Sequence, residues 1–200
     1  MSRWPAKQAM QERILSTADR LFYSQGIRAI GVDTVAAEIG ISKRTLYNYY
    51  PSKEELVVAY LTRRYVVPKP SEEPPMDQIL AAFDRMERWF ASENFRGCPF
   101  VNAVTEVGDA ANKIAGDFKE QRRLWFRELL TRLHAADADG LATQLALLVE
   151  GAISAALVRR DPALARAAKT AALVLIGAAC PAETKEPKGV VARKPRTRRS

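Results

Sequence analysis

A basic and aromatic segment, ISKRTLYNYYPSKEEL, occupies residues 41 to 56 of the chain. In the major groove of DNA, arginine and lysine pair with guanine and asparagine pairs with adenine, while hydroxyl and ammonium groups commonly bind phosphate oxygens. Side chains of all these types occur here within a few positions of one another. The segment therefore predicts DNA binding, through the candidate residues Ser42, Lys43, Arg44, Thr45, Tyr47, Asn48 and Lys53.

The three tyrosines of this segment have a second interpretation. Tyr47, Tyr49 and Tyr50 could lie over the surface of a small domain with only their hydroxyl groups in water, and each residue taken alone favours that view. Together with the turn, the helix caps and the local positive charge, the tyrosines and their basic neighbours are instead expected to face DNA.

Two short helices joined by a tight turn are predicted to hold these side chains. The first presents apolar residues on one face and ends at Gly40, because glycine readily adopts the left-handed conformation that follows a helix. Ser42 caps the second helix, expected over 43–50, in which Leu46 and Tyr50 lie four positions apart and can pack inward. This is the organisation of a helix-turn-helix, whose second helix enters the major groove.

The rest of the sequence is also helical in pattern, so the chain is predicted to be all-α with about nine helices. Ser52 and Glu55 form a capping box that starts a fourth helix. The last helix is expected over 162–179, with Asp161 as its cap and Pro162 at its first position. The predicted organisation is a helix-turn-helix domain at 1–50, a connecting helix at 51–67, a Pro-rich linker at 68–75, a second helical domain at 76–180 and a basic disordered tail at 181–200.

Charge is distributed unevenly along the chain. The net charge is +8: residues 1–67 hold ten Lys or Arg against six Asp or Glu (+4), residues 68–180 fourteen against fifteen (−1), and residues 181–200 seven against two (+5). Cationic side chains release the counterions of a polyanion, so two basic ends suit a nucleic acid better than a small acidic molecule. Charge alone leaves open a basic surface that is simply solvated.

Several classes of protein are not supported by the sequence. No run of eighteen apolar residues predicts a membrane span, and the first fifteen residues do not resemble a secretory signal. Cys98 and Cys180 match no metal-site or disulfide spacing, and the single histidine, His134, has no Cys or acidic cluster beside it. We therefore expect a cytoplasmic protein with reduced thiols, no metal, no cofactor and no enzymatic activity.

The run from Gly26 to Leu56, GIRAIGVDTVAAEIGISKRTLYNYYPSKEEL, closely resembles the DNA-binding domain of the TetR family of bacterial transcriptional regulators. The family pattern A-x-x-x-G-[IV]-S-x-x-T-[LF]-Y-x-[YH]-[FY]-x-[SN]-K-E-x-L is matched at almost every step from Ala36 onward. In the second domain the resemblance is looser, and GCPFVN at 97–102 is similar to a segment of many TetR-like regulatory domains. One departure is Gly31, which stands where most members have a Ser or Thr cap.

The resemblance implies roles for individual residues in DNA binding. In the family, the residues that match Thr45, Tyr47 and Lys53 hold phosphates. Those that approach bases match Lys43, Arg44, Asn48 and Tyr49.

The resemblance also implies a homodimer with one DNA-binding head per chain, and a second domain that provides dimerisation and a ligand cavity. The last two helices carry smooth apolar faces rich in small residues, which let helices approach closely, although ordinary core would show the same pattern. The candidate dimer residues are Leu145, Leu148, Ala152, Ala155, Leu173, Ile176 and Gly177.

A cavity for a small-molecule effector of unknown identity is expected to have aromatic walls and a few polar groups. The candidates are Phe83, Met86, Trp89, Phe90, Phe100, Asn102, Glu106 and Trp125, although plain core is favoured for each position taken singly. Glu106 and Glu150 lie in otherwise apolar stretches, so each needs a partner if buried. A cationic ligand would be one such partner, and Arg122 or Arg127 another. Cys98 is a candidate redox sensor for which inert packing is the favoured interpretation.

The function predicted from these features is a homodimeric, ligand-responsive transcriptional regulator. We expect a repressor that binds double-stranded DNA at a palindromic operator and is released by its effector. The alternative is a non-sequence-specific architectural DNA-binding protein, favoured by the basic tail. A helical enzyme or pure interaction protein is a third class, against which the missing catalytic constellation counts.

Overall fold

The structure, a computed structural model, describes residues 6–180; residues 1–5 and the predicted basic tail at 181–200 lie outside the described residues. The described chain contains nine α-helices and no strand, so the predicted all-α fold is confirmed. The helices are α1 (Ala6–Gln25), α2 (Val32–Glu38), α3 (Lys43–Tyr47), α4 (Lys53–Arg64), α5 (Pro75–Phe90), α6 (Pro99–Val107), α7 (Asp109–Arg132), α8 (Ala138–Arg159) and α9 (Leu164–Ala179).

The first three helices form a small unit, here called the head (residues 6–50). α1 packs against both α2 and α4, and its inner face buries apolar residues at helical spacing. Phe22 of α1 meets Tyr60 of α4 edge-on, with ring centroids 5.7 Å apart. The head therefore shares its core with α4, which fixes the direction of the chain as it leaves the head.

The five helices α5–α9 form the body, here residues 75–180. α7 lies at its centre and contacts α4, α5, α6 and α8, while α9 packs on α5 and α8. The inner face of α7 buries large side chains, among them Phe118, Trp125, Phe126 and Leu129. Tyr65, directly after α4, packs edge-on against Phe118, with ring centroids 5.3 Å apart, and so joins the head to the body.

Three helix boundaries differ from the sequence prediction. α3 ends at Tyr47 instead of residue 50, because the chain turns over the next three residues ahead of Pro51. α5 begins at Pro75, which stands in the first turn where a missing N–H costs nothing. α9 begins at Leu164 instead of Pro162, although Asp161 does accept a hydrogen bond from a backbone N–H of the preceding turn.

α8 is a long helix rich in apolar residues. Its length and mean hydropathy of 1.8 would allow it to span a membrane, a test that core helices of globular domains also pass. Here it packs against α7 on one side and α9 on another. Its buried residues recur at helical spacing, as in a core helix with one face left uncovered.

Candidate nucleic-acid interface and effector cavity

The turn between α2 and α3 is fixed by local hydrogen bonds. Gly40 adopts a φ of +71°, a conformation that favours glycine, and donates its N–H to the carbonyl of Ala37 at 3.1 Å. Ser42 Oγ accepts the backbone N–H of Thr45 at 3.0 Å, as predicted for the cap, and lies 2.8 Å from the Thr45 hydroxyl. α3 therefore begins at a defined residue and with a defined orientation.

α3 buries one face and presents the other to solvent. Leu46 is fully buried and Tyr50 is 6% exposed, so both pack inward as predicted. Lys43, Arg44, Tyr47 and Asn48 are exposed, with Tyr47 at 36%. The outward face thus holds most of the predicted base-contacting side chains together on one surface.

The tyrosines of this segment divide between the two faces. Only Tyr47 lies outside; Tyr50 belongs to the core of the head, and Tyr49 is half-buried against that core. The interpretation that all three tyrosines face DNA is therefore wrong for Tyr50, whereas the inward packing expected from its spacing to Leu46 is what the structure shows. Thr45 and Lys53 are half-buried, and Ser42 serves as the helix cap.

An acidic side chain accompanies the cations of α3. Lys43 Nζ donates to Asp33 Oδ2 at 3.0 Å, and this hydrogen bond and charge raise the pKa of Lys43 above its ordinary value. Arg44 forms no ion pair with any side chain of residues 6–180, so its charge stays available. Arg44 is thus better placed than Lys43 to contact DNA without first breaking a bond.

A cavity of about 280 Å³ opens in the body between α5, α7, α8 and the segment that follows α4. Three predicted effector residues line it: Met86, Trp89 and Trp125. The sequence analysis did not select the other nine lining residues, which are Val66, Pro68, Ala82, Arg85, Phe118, Arg122, Phe126, Val149 and Ile153.

Five predicted effector residues lie away from this cavity. Phe83 and Phe90 are core residues of the body, and Phe100 stacks on Phe118 with the rings 4.0 Å apart. Asn102 Nδ2 donates to the carbonyl of Arg96 at 2.9 Å. Helical spacing marked these positions as inward but did not tell which inward positions border a void.

Glu106 is also outside the cavity and contacts the head instead. Its Oε2 accepts the backbone N–H of Arg28 at 2.8 Å. The same carboxylate oxygen would lie 3.0 Å from a Cβ at Gly26, whose φ is +96°. Nearby, the Tyr23 hydroxyl donates to the carbonyl of Gly97 at 3.0 Å, so α6 and the segment before it hold the head from a second side.

Glu150 has the protein partner that the sequence analysis considered. It forms ion pairs with Arg122 and with Lys119, both on α7. Burial lowers the pKa of Arg122 and of Lys119 from their ordinary values. Lys119 Nζ also lies 3.4 Å from Cys98 Sγ, which is buried at the start of α6. A glutamate in an apolar helix was the signal that could have identified this cluster.

The predicted dimer residues on α8 and α9 separate into two groups. Leu145 and Ile176 are buried in the body's own core, which contradicts their assignment to an outer face. Leu148, Ala152 and Ala155 line an apolar groove of about 640 Å³ between α8 and α9, and Leu173 and Gly177 are exposed on α9. The groove and its edges add apolar residues that sequence analysis missed: Leu147, Gly151, Val158, Val174 and Leu175.

Within residues 6–180, no group of three His, Cys, Asp or Glu side chains is arranged to hold a metal ion. His134 is exposed at the turn after α7, with a φ of +57°.

Comparison with known proteins gives concordant matches. The family model for bacterial regulatory proteins of the TetR family matches residues 14–60. The HTH-type transcriptional regulator YxaF of Bacillus subtilis (strain 168) is 27% identical over 165 residues, which cover 76% of this chain and 86% of that protein.

Two crystal structures are similar over most of both chains. SCO4454, a TetR-family transcriptional regulator from Streptomyces coelicolor, superposes with a TM-score of 0.77 at 25% identity, covering 86% of this chain and 96% of that one. A TetR-type transcriptional regulator from Streptomyces avermitilis (sav143) gives a TM-score of 0.74 at 31% identity, covering 84% and 97%. The similarity therefore extends over head and body alike.

Proposed function

Because the chain belongs to the TetR family of bacterial regulatory proteins, whose members regulate transcription by binding DNA, we propose that it is a cytoplasmic, homodimeric repressor released from a palindromic operator by a small-molecule effector. The observation that carries the proposal is the capped α3, which buries Leu46 and exposes a cationic and polar face. A helix built this way can enter a groove while its other face stays packed.

At the operator, α3 enters the major groove and α2 lies across the backbone. Arg44 and Asn48 approach base edges, and Lys43 joins them when its bond to Asp33 opens. Tyr47, Thr45 and Lys53 contact phosphates and fix the orientation of the head. In the dimer the two copies of α3 lie about 34 Å apart, one turn of DNA.

Dimerisation uses the apolar groove and edges of α8 and α9. Leu147 is 65% exposed and Val158 is 80% exposed, while small residues such as Gly151 and Ala155 let a second pair of helices approach. When this surface of one chain contacts the same surface of a second chain, the dimer has the two-fold symmetry that a palindrome requires.

The effector acts through the contacts between cavity and head. Val66 and Pro68, just beyond α4, form part of the cavity wall, so a ligand that moves them also moves α4. Arg64, the last residue of α4, is bound to Asp19 of α1 at 2.5 Å and covers the Tyr23 ring. A ligand that prefers a different head spacing lowers DNA affinity by its differential affinity for the two states.

The test is selection of duplexes from a random DNA pool at physiological salt. Three full-length proteins are compared: the native chain, a Tyr47→Ala, Lys53→Ala double variant, and an Arg88→Ala control altered on the exposed surface of the body. We expect the native chain and the control to enrich one palindrome and the double variant to lose it. Equal and unselective recovery of DNA by all three proteins would overturn the operator-binding proposal and favour the architectural alternative.

A further inference from the structure

Three buried side-chain atoms at or beside the cavity wall have no hydrogen-bond partner within residues 6–180: the donors Arg122 Nε and Trp125 Nε1, and the acceptor Glu150 Oε1. The two donors belong to residues three positions apart on α7, so they share one helix face and outnumber the acceptor. Trp125 is only 5% exposed. A buried donor left unpaired costs free energy, so two of them on the wall of one cavity point to a missing acceptor.

The side chains around the cavity also carry an excess of positive charge. Glu150 forms ion pairs with both Arg122 and Lys119, so one carboxylate faces two cations. Its Oε1 meets the Arg122 guanidinium as an ion pair without hydrogen-bond geometry. Arg85 adds a further cation to the wall, and the described lining contains neither Asp nor Glu. Three cations therefore face one carboxylate, so an anion placed here would reduce the excess positive charge, whereas a cationic ligand would find Glu150 already paired.

The rest of the wall is apolar. Aromatic and aliphatic side chains surround the cavity: Met86, Trp89, Phe118, Phe126, Val149 and Ile153. Its volume of about 280 Å³ lies just below the roughly 300–1,000 Å³ typical of small-molecule sites. The occupant that fits is therefore compact and mostly apolar, with a single polar end.

We propose that the effector is a small amphipathic monocarboxylate. Its carboxylate accepts hydrogen bonds from Arg122 Nε and Trp125 Nε1, and its apolar body packs against the aromatic wall. Binding at this site does not depend on DNA; only its role as effector rests on the proposed function. A carboxylate suits an arginine because the charge-assisted hydrogen bond is stronger than a neutral one.

The test uses 1-naphthoate and its uncharged counterpart 1-naphthamide, titrated calorimetrically into the full chain without DNA. We expect the carboxylate to bind about tenfold or more tightly than the amide, as a charged hydrogen bond predicts. Arg122→Gln should abolish the preference, and Trp125→Phe should weaken carboxylate binding while keeping an aromatic ring. Arg123→Gln is the control, because Arg123 binds Glu120 and Asp139 at the surface.

Thermal unfolding of each variant checks that the body stays folded; in Arg122→Gln, Glu150 keeps Lys119 as its partner. Octanoate, an aliphatic monocarboxylate, is titrated in the same way. The proposal would be overturned if the acid and the amide bound equally, if Arg122→Gln kept the preference for the acid, or if neither 1-naphthoate nor octanoate bound. Operator selection is measured separately, so the two proposals fail independently. A chain that selects a palindrome but prefers the amide remains a regulator, and one that binds naphthoate without selecting DNA retains its carboxylate site.

Discussion

The candidate DNA-binding face of the head and the cavity of the body bring their side chains together in opposite ways. In the head, the exposed residues lie on one short helix within a few positions of one another, and local hydrogen bonds fix that helix. The cavity is lined by residues that range from Val66 to Ile153 along the chain and meet only in the folded body. A site on one helix follows from local pattern, whereas a cavity depends on the packing of the whole domain.

The two regions also differ in how water affects their charges. Lys43 and Asp33 are both at least half exposed, so salt screens their attraction and that between the head and DNA. Arg122 keeps only 15% of its side-chain surface exposed, which shields its ion pair. Added salt should therefore weaken DNA binding steeply while changing carboxylate binding much less.

The largest effect is expected from a cavity in the core of the head. Leu46→Ala should cost about 2–5 kcal/mol, because a fully buried leucine leaves a void when truncated. Native-state hydrogen exchange should show the loss in the amides of α1–α3, together with weaker DNA binding. Leu129→Ala is the matched control in the body, where the loss should appear in α7 instead. Equal loosening of both regions in either variant would show that head and body unfold as one unit.

A smaller effect is expected where the two regions touch. Glu106→Ala removes the acceptor of the Arg28 N–H, and a lost hydrogen bond to a partly exposed charged group should cost about 1–2 kcal/mol. The Arg28 amide should then exchange faster with solvent in NMR. Asn102→Ala, which breaks a hydrogen bond within the body alone, serves as the control. Unchanged exchange at Arg28 would mean that the other contacts hold the head without Glu106.

The cap of α3 contributes about as much as one hydrogen bond. Ser42→Ala should destabilise α3 by about 1 kcal/mol, since the Thr45 N–H loses its acceptor. DNA affinity measured by fluorescence anisotropy should fall, with faster exchange of the Thr45 amide. Ser52→Ala removes the corresponding cap of α4, whose N–H donor is Glu55, and should leave the Thr45 amide protected. Similar exchange at Thr45 in both variants would contradict a local role for Ser42.

The smallest effect has the opposite sign. Asp33→Asn should strengthen DNA binding and steepen its salt dependence, because Lys43 is released and a negative charge near the phosphates is removed. The pKa of Lys43 should fall toward its ordinary value, since Asp33 raises it. Titrating DNA binding against salt concentration measures the slope, with Glu38→Gln, an acid on α2 paired to Arg20, as the control. Weaker binding in Asp33→Asn would show that the ion pair orients Lys43 for the groove.

The same difference between the head and the cavity explains which features could be predicted from the sequence. The all-α fold, the cap at Ser42 and the inward packing of Leu46 follow from residue types and spacing over a few positions. The inward packing of Tyr50 follows from its spacing to Leu46, but the end of α3 at Tyr47 depends on a turn that the sequence pattern did not predict. Helix ends and turns are therefore predicted less well than the apolar faces of the helices.

The cavity was predicted less well, for a physical reason. Helical spacing identifies a residue such as Phe83 as inward but cannot say whether its neighbour is another side chain or a void. Arg122 was named only as a possible partner of a buried glutamate, because nothing in the sequence pattern shows that its side chain borders a cavity. On α8 and α9, the split between core and outer face depended on the angle at which the helices pack.

The brevity of α3 limits how much sequence information one head can read. Five residues at 1.5 Å each span about 7.5 Å, or roughly two base-pair steps of 3.4 Å. A site of so few base pairs recurs by chance throughout any genome, so one head alone could not select a single promoter. Discrimination is multiplied when two heads must match at a fixed separation. In the proposed dimer, the distance between the two heads is therefore part of what selects the operator, and a ligand that changes this distance would remove that selection.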